Sequence, residues 1–155
     1  MAKTAILERL KGLGIELPEP SAPVGAYVPY KRIGDTIWTS GQIPMRDGKL
    51  LYEGKVGAEL SLEQAQECAR LATVNALAWL SYATNGFEGV QGVLRMNGYV
   101  ASAEGFFDQA RVLNAASELL GQVFGPDGKH TRVAVGVPML PLDSPVELDL
   151  VFQVE

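Results

Sequence analysis

The sequence predicts a two-layer α+β sandwich, with a few strands in one layer and two long helices in the other. Three observations carry this. Residues 61–83 and about 104–123 hold apolar side chains at helical spacing. Strand-like stretches are interleaved with them in the order strands, helix, strand, helix, two strands. The last stretch, Val146 to Val154, alternates apolar and polar residues, as a strand with one covered face does. No repeat, low-complexity tract or second domain is visible in the 155 residues, so the expectation is one domain over 1–155.

The elements follow in chain order. Residues 3–13 read as a short helix with Ile6, Leu7, Leu10 and Leu13 on one side. Glu8 is mixed with Lys3, Arg9 and Lys11 and no apolar block precedes them, so this is expected to be a helix of the mature protein rather than a signal peptide. "ELPEPSAPVGAY", residues 16–27, is proline-rich and reads as an extended connector. "YVPYKRIG" and "TIWTSG" are strands split by a turn at Gly34-Asp35, and "RDGKL", residues 46–50, is a second turn. Ser61 and Gln64 can form a capping box, behind which Ala65, Cys68, Ala69, Ala72, Ala76, Trp79, Leu80 and Ala83 keep helical spacing until Asn85-Gly86. The many alanines let this helix lie close to the layer it covers. Residues 92–101 form the next strand. The second long helix, about 104–123, offers Phe106, Phe107, Ala110, Leu113, Leu120 and Val123 to the core and stops at Gly125-Pro126. Strands at 131–138 and 145–154 complete the chain.

Composition removes several classes of function. Hydrophobic residues are 47% and charged residues 20%, the balance of neither a disordered nor a membrane protein. Every apolar run is shorter than the roughly 20 residues of a membrane span. The net charge of −5 and the lack of a basic cluster match a polyanion poorly, which argues against nucleic acid as a partner. A single cysteine, Cys68, rules out an intrachain disulfide and makes the cytoplasm the default address. With His130 the only histidine, neither a metal site nor a Cys–His couple has support. Cys68 reads as core packing and His130 as an exposed, incidental residue after a turn. P-loop, GxGxxG and GxSxG motifs are missing.

The sheet face away from the helices carries the remaining information. In the last strand Val146, Leu148, Leu150, Phe152 and Val154 share the core face; Glu147, Asp149, Val151, Gln153 and Glu155 lie opposite. In the strand before it, Val133, Val135 and Val137 are expected to face the core, which leaves Arg132, Ala134 and Gly136 on the bare face. If the two strands are antiparallel neighbours, Arg132 and Glu147 lie near each other there. The small Ala134 and Gly136 would then admit a second subunit. A guanidinium at the edge of such an interface suits a bidentate carboxylate, and a nearby glutamate can hold or activate a water. On spacing alone an ion pair is the commoner outcome for such residues. Ser40 and Gly41 of "SGQIP" form either a plain turn or a backbone ligand site. Tyr27 is either packing or a cleft wall, and Asn114 in "VLNAASELL" is either a surface or a buried hydrogen-bonding residue.

Three segments in order resemble one family: "APVGAYVPYKRIGDTIWTSGQIP", "VLNAASELL" and "TRVAVGVPMLPLDSPVELDLV". It is the RidA family, also called YjgF/YER057c/UK114, the reactive-intermediate enamine/imine deaminases, and the resemblance spans about residues 22–155. It implies a chorismate-mutase-like fold, a mixed sheet with two long helices on one face, and a homotrimer with a cleft between each pair of subunits. It also implies that Arg132 binds the substrate carboxylate and that Glu147 positions water. Tyr27 would line the cleft, Ser40 and Gly41 would supply the backbone site, and Asn114 would be the helix asparagine. The implied activity is that of a 2-iminobutanoate/2-iminopropanoate deaminase-like hydrolase, turning 2-aminoacrylate-type intermediates into 2-keto acids and ammonia without cofactor or metal. The competing expectations are a non-catalytic trimer that binds small carboxylates or partner proteins, and the endoribonuclease or translation-inhibitor activity for which the family is labelled. Three features depart from the pattern: Ala134 replaces a frequent cysteine, Gly25-Ala26-Tyr27 replaces Gly-Pro-Tyr, and a helix at residues 1–15 extends the short family core.

Overall fold

The spine of the sheet is the last strand, β7 (Val146–Val154), because its neighbours on both sides hydrogen-bond to it. The computed structural model describes residues 3–20 and 22–155. Met1 and Ala2, part of the expected extension 1–15, and Ser21 of the connector lie outside the described residues. In chain order the elements are α1 (Lys3–Gly12), β1 (Tyr30–Ile33), β2 (Thr36–Thr39), β3 (Met45–Arg46), β4 (Lys49–Leu50), α2 (Leu62–Ala83), β5 (Val90–Ala101), α3 (Gln109–Phe124), β6 (Thr131–Val137) and β7. The five-stranded sheet runs β1-β2-β7-β5-β6, and β3 and β4 form a separate hairpin. All pairs in the large sheet are antiparallel except β5 with β6, which is parallel, so the sheet is mixed.

Both long helices pack on one face and on each other, giving the two-layer α+β architecture. The capping box of α2 is complete: the Gln64 amide donates to Ser61 Oγ at 3.1 Å and the Ser61 amide to Gln64 Oε1 at 2.9 Å. Leu148, Leu150 and Phe152 of β7, Met96 and Val100 of β5, and the alanine face of α2 are fully buried together. Sheet and helix approach closely at Gly98, where a Cβ would lie 2.7 Å from Leu113 Cγ. From α1, Ile6 and Leu10 enter this core, whereas Leu7 and Leu13 stay exposed.

Two expectations are corrected. Helix α3 begins at Gln109 rather than near 104, because residues 104–108 turn before it. As a result Phe107 and Ala110 are exposed, and Phe106 is only half-buried, over Gly57. The second correction concerns β6. It is not the neighbour of β7: β5 lies between them. The register pairs Arg132 with Met96 and Met96 with Leu150, so Arg132 shares the helix-covered face. The valines point the other way; Val133 and Val135 are 40% and 42% exposed on the bare face. Ala134 packs on the core instead. At Gly136 a Cβ would be 2.8 Å from Gln109 Nε2 and 3.0 Å from Ser102 Oγ. On this strand Ala134 thus packs against the core, and Gly136 lies against Ser102 and the Gln109 side chain at the start of the chain's own α3.

Candidate functional site

The expected site residues fall into two clusters. The first is built on α3 and β6. One turn of α3 brings Asn114 and Ser117 to one side, facing Arg132. Arg132 Nη1 donates to Asn114 Oδ1 at 3.0 Å and to Ser117 Oγ at 3.1 Å, while Nη2 reaches the Ala110 carbonyl at 3.5 Å. Both Nη1 protons are thus committed to the helix. The opposite edge of the guanidinium, formed by Nε–H and the adjacent Nη2–H, keeps the planar fork that receives a carboxylate side-on. A groove of about 760 Å³ runs beside it, lined by Asn114, Ser117, Glu118, Lys129, His130 and Arg132 among others.

The second cluster lies on the bare face and at the end of β2. Glu147 and Asp149 project from β7, opposite Tyr99 and Asn97 of β5. Asn97 Nδ2 donates to Asp149 Oδ1 at 2.8 Å, and Arg95 Nε donates to Asn97 Oδ1 at 3.1 Å. Burial, with a smaller push from the Asp149 charge, raises the Glu147 carboxyl above the ordinary glutamate value. Asp149 is also raised by burial, against the opposing Asn97 hydrogen bond and Arg95 charge. Burial and the two carboxylates raise the Tyr99 hydroxyl too. Glu147 lies over Gly41: a Cβ there would be 2.9 Å from Glu147 Cδ. The neighbouring Ser40 hydroxyl donates to the Val28 carbonyl, and the Gln42 amide donates to the Leu148 carbonyl at 2.7 Å. The first bond ties Ser40 to the segment carrying Tyr27, which is exposed and folds its ring back over Gly25, and the second ties Gln42 to β7.

Arg132 and Asn114 are therefore together, and so are Ser40, Gly41 and Glu147, with Tyr27 on the adjoining segment. Arg132 and Glu147 are not: they occupy opposite faces of the sheet with β5 between their strands. Ser117, which has no role expected from the sequence, and His130, expected to be exposed and incidental, also belong to the first cluster. His130 is half-buried, with Nε2 3.0 Å from Ser117 Oγ and Nδ1 2.6 Å from the Gly128 carbonyl. Spacing held a usable signal, since Ser117 follows Asn114 by one helical step and His130 precedes Arg132 by one strand step. Cys68 is buried on the core face of α2, its thiol pushed up to about 12 mainly by burial, which fits packing rather than reactivity.

Residues 7–154 match the family model described as "YjgF/chorismate mutase-like, putative endoribonuclease". The chain belongs to the YjgF family. Its match begins inside α1 and ends within β7. A curated relative, Protein TCP17 of Trypanosoma cruzi, is 35% identical over 150 residues, 96% of this chain and 94% of its own length. The crystal structure of Atu1372 from Agrobacterium tumefaciens, a protein of unknown function, superposes with a TM-score of 0.91 at 38% identity, covering 99% of this chain and 94% of that one. A structure from Shewanella oneidensis MR-1 that carries the same endoribonuclease description has a TM-score of 0.92 at 35% identity, covering 96% and 99% of the two chains. Among the described residues no helix is long and apolar enough to cross a membrane.

Proposed function

We propose that this YjgF-family chain hydrolyses small 2-imino acids and their enamine tautomers to 2-keto acids and ammonia, working as a homotrimer. The observation that carries this reading is the Arg132 guanidinium, pinned by Asn114 and Ser117 along one edge and presenting its other edge beside a groove. That arrangement suits a carboxylate and fixes its orientation. Arg132 anchors the substrate carboxylate. Glu147, raised above the ordinary range by burial, is a stronger base than a solvated glutamate. With the substrate as its iminium, Glu147 takes a proton from water as the oxygen attacks the imine carbon, giving a neutral carbinolamine. That proton returns to nitrogen, and as the C–N bond breaks Glu147 takes the hydroxyl proton, so that the carbonyl forms and ammonia leaves. An imine carbon is already electrophilic, so this reaction asks nothing of a cofactor. Gly41 presents main chain without a side chain beside Glu147, and Tyr27 closes the cleft.

Since Arg132 and Glu147 face opposite sides of the sheet within one chain, the reading requires two subunits per site. Arg132 and Asn114 come from one, and Glu147, Gly41, Ser40 and Tyr27 from its neighbour. Exposed apolar residues on the bare face, Trp38 at 50% with Val133 and Val135, support association through that face. The ribonuclease reading fits less well, because a surface bearing Glu147 and Asp149 on a chain of net charge −5 repels a polyanion. The test is ammonia release from freshly generated 2-iminopropanoate. Wild type is expected to accelerate it and Arg132→Ala to lose that acceleration. Full activity in Arg132→Ala sinks the assignment, and carboxylate binding without turnover in the wild type makes the protein a binder instead.

A further inference from the structure

We propose that Ser117 and His130 are positioning residues that set which edge of the Arg132 guanidinium meets the substrate. The inference rests on the carboxylate-binding reading and extends it to two residues with no assigned role. It starts from the far end of the network. His130 Nδ1 lies 2.6 Å from the Gly128 carbonyl, and a carbonyl only accepts, so Nδ1 carries the proton. In the neutral ring Nε2 is then an acceptor, and at 3.0 Å it takes the Ser117 hydroxyl proton. With its proton turned towards His130, Ser117 Oγ presents lone pairs to Arg132 Nη1 at 3.1 Å. The chain runs in one direction, from Arg132 through Ser117 and His130 to Gly128.

Its end point is rigid. Gly128 closes the 3-10 turn Gly125–Gly128 and is buried so close to α3 that a Cβ would lie 2.8 Å from the Leu120 carbonyl carbon. The near end is oriented as well. Asn114 accepts the second Nη1 proton at 3.0 Å, so two acceptors from one helix face hold one edge of a planar group. A planar group held along one edge has its opposite edge fixed in direction. Without the imidazole acceptor, the Ser117 hydroxyl can rotate and donate to the carbonyl one turn back in its own helix, or present its proton to Arg132. Either way Arg132 loses one of the three contacts to α3 that orient its fork, and only those to Asn114 and Ala110 remain. The order of events is thus geometric: His130 fixes the Ser117 proton, Ser117 fixes Nη1, and the Nε/Nη2 edge is left for the ligand.

The probe is 2-oxobutanoate, titrated calorimetrically into the full-length protein. The readout beside it is the imidazole nitrogen spectrum of wild type, unambiguous because His130 is the only histidine. The neutral ring is expected as the Nδ1–H tautomer. Ser117→Ala and His130→Phe are each expected to bind the keto acid roughly 5–10-fold more weakly, the effect of losing one typical hydrogen bond. Ser117→Thr, which keeps the hydroxyl, and His130→Gln, which keeps an acceptor, are expected to recover most of that loss. Melting temperatures serve to establish that each variant is folded, and the wild-type tautomer decides the matter even where one is not. A wild-type ring in the Nε2–H form overturns the proposal. So does wild-type affinity in Ser117→Ala and His130→Phe while Arg132→Ala abolishes binding. Unchanged binding in Arg132→Ala overturns the carboxylate reading itself, a different and separable failure.

Discussion

Gly41→Ala separates the chemistry of Glu147 from the stability of the fold. A Cβ at position 41 would lie 2.9 Å from Glu147 Cδ and 3.2 Å from Cγ. Carbon atoms in ordinary contact sit about 3.5 Å apart or more, so the carboxyl group must retreat by at least about 0.5 Å at Cδ, and further at its oxygens. The Gly41 backbone is not in the left-handed region, so alanine is accommodated there and the side chain of Glu147 takes up the change. Turning that side chain off its rotamer costs about 0.5–1.5 kcal/mol. In a chain of this size that lowers Tm by about 1–6 °C. A displacement approaching 1 Å at a reacting group costs on the order of 100-fold in rate. The expected result is a kcat for ammonia release down roughly 100-fold, with 2-oxobutanoate binding at Arg132 near wild type. Melting curves, calorimetry and the ammonia assay on the same preparation check all three. A variant with wild-type kcat refutes Glu147 as the base. One that loses binding and turnover equally refutes the division of labour between Glu147 and Arg132.

The other predictions follow from burial and packing. Because Glu147 is raised by burial and by Asp149, the acid limb of kcat/KM is expected above the ordinary glutamate value, and Asp149→Asn is expected to move it down; a limb at the solvated value contradicts this. Raised carboxyls in the folded state bind protons that the unfolded state has released. Stability is therefore expected to fall as pH rises through the folded-state values of Glu147 and Asp149, and to be gained on acidification between those values and the unfolded ones. Denaturant titrations across that window read the slope. Gly98→Ala drives a methyl into Leu113, so it is expected to cost about 1–3 kcal/mol of overpacking, measured as a lower urea midpoint with an unchanged slope.

Local chemistry made most of the fold legible. The Ser61–Gln64 capping box formed as written, and Gly34, Asn85 and Gly86 adopt the positive φ that their turns need. The alternation of β7 also identified its core face, because that strand is paired on both sides and covered by helices. The same rule failed at β6. Alternation reveals that a strand has two faces, not which of them is covered. On an edge strand the valines turned to the bare face while Arg132, Ala134 and Gly136 met α3. Nor does a local pattern encode that β5 pairs parallel with β6 and so separates it from β7. Candidate residues could therefore be picked out one by one, but not grouped. His130 was hidden for a related reason: its partners, Ser117 and Gly128, are set by how α3 and the following turn fold back on β6.

The claim on which the account depends most is that Arg132 of one subunit and Glu147 of its neighbour serve one substrate. Arg132→Ala and Glu147→Gln, each inactive alone, can be co-expressed with different tags and purified as mixed assemblies. In a cyclic trimer every mixed assembly contains one site with both native residues, so the purified mixed assemblies are expected to restore roughly a third of wild-type ammonia release. Mixed assemblies no more active than either variant alone contradict the shared site.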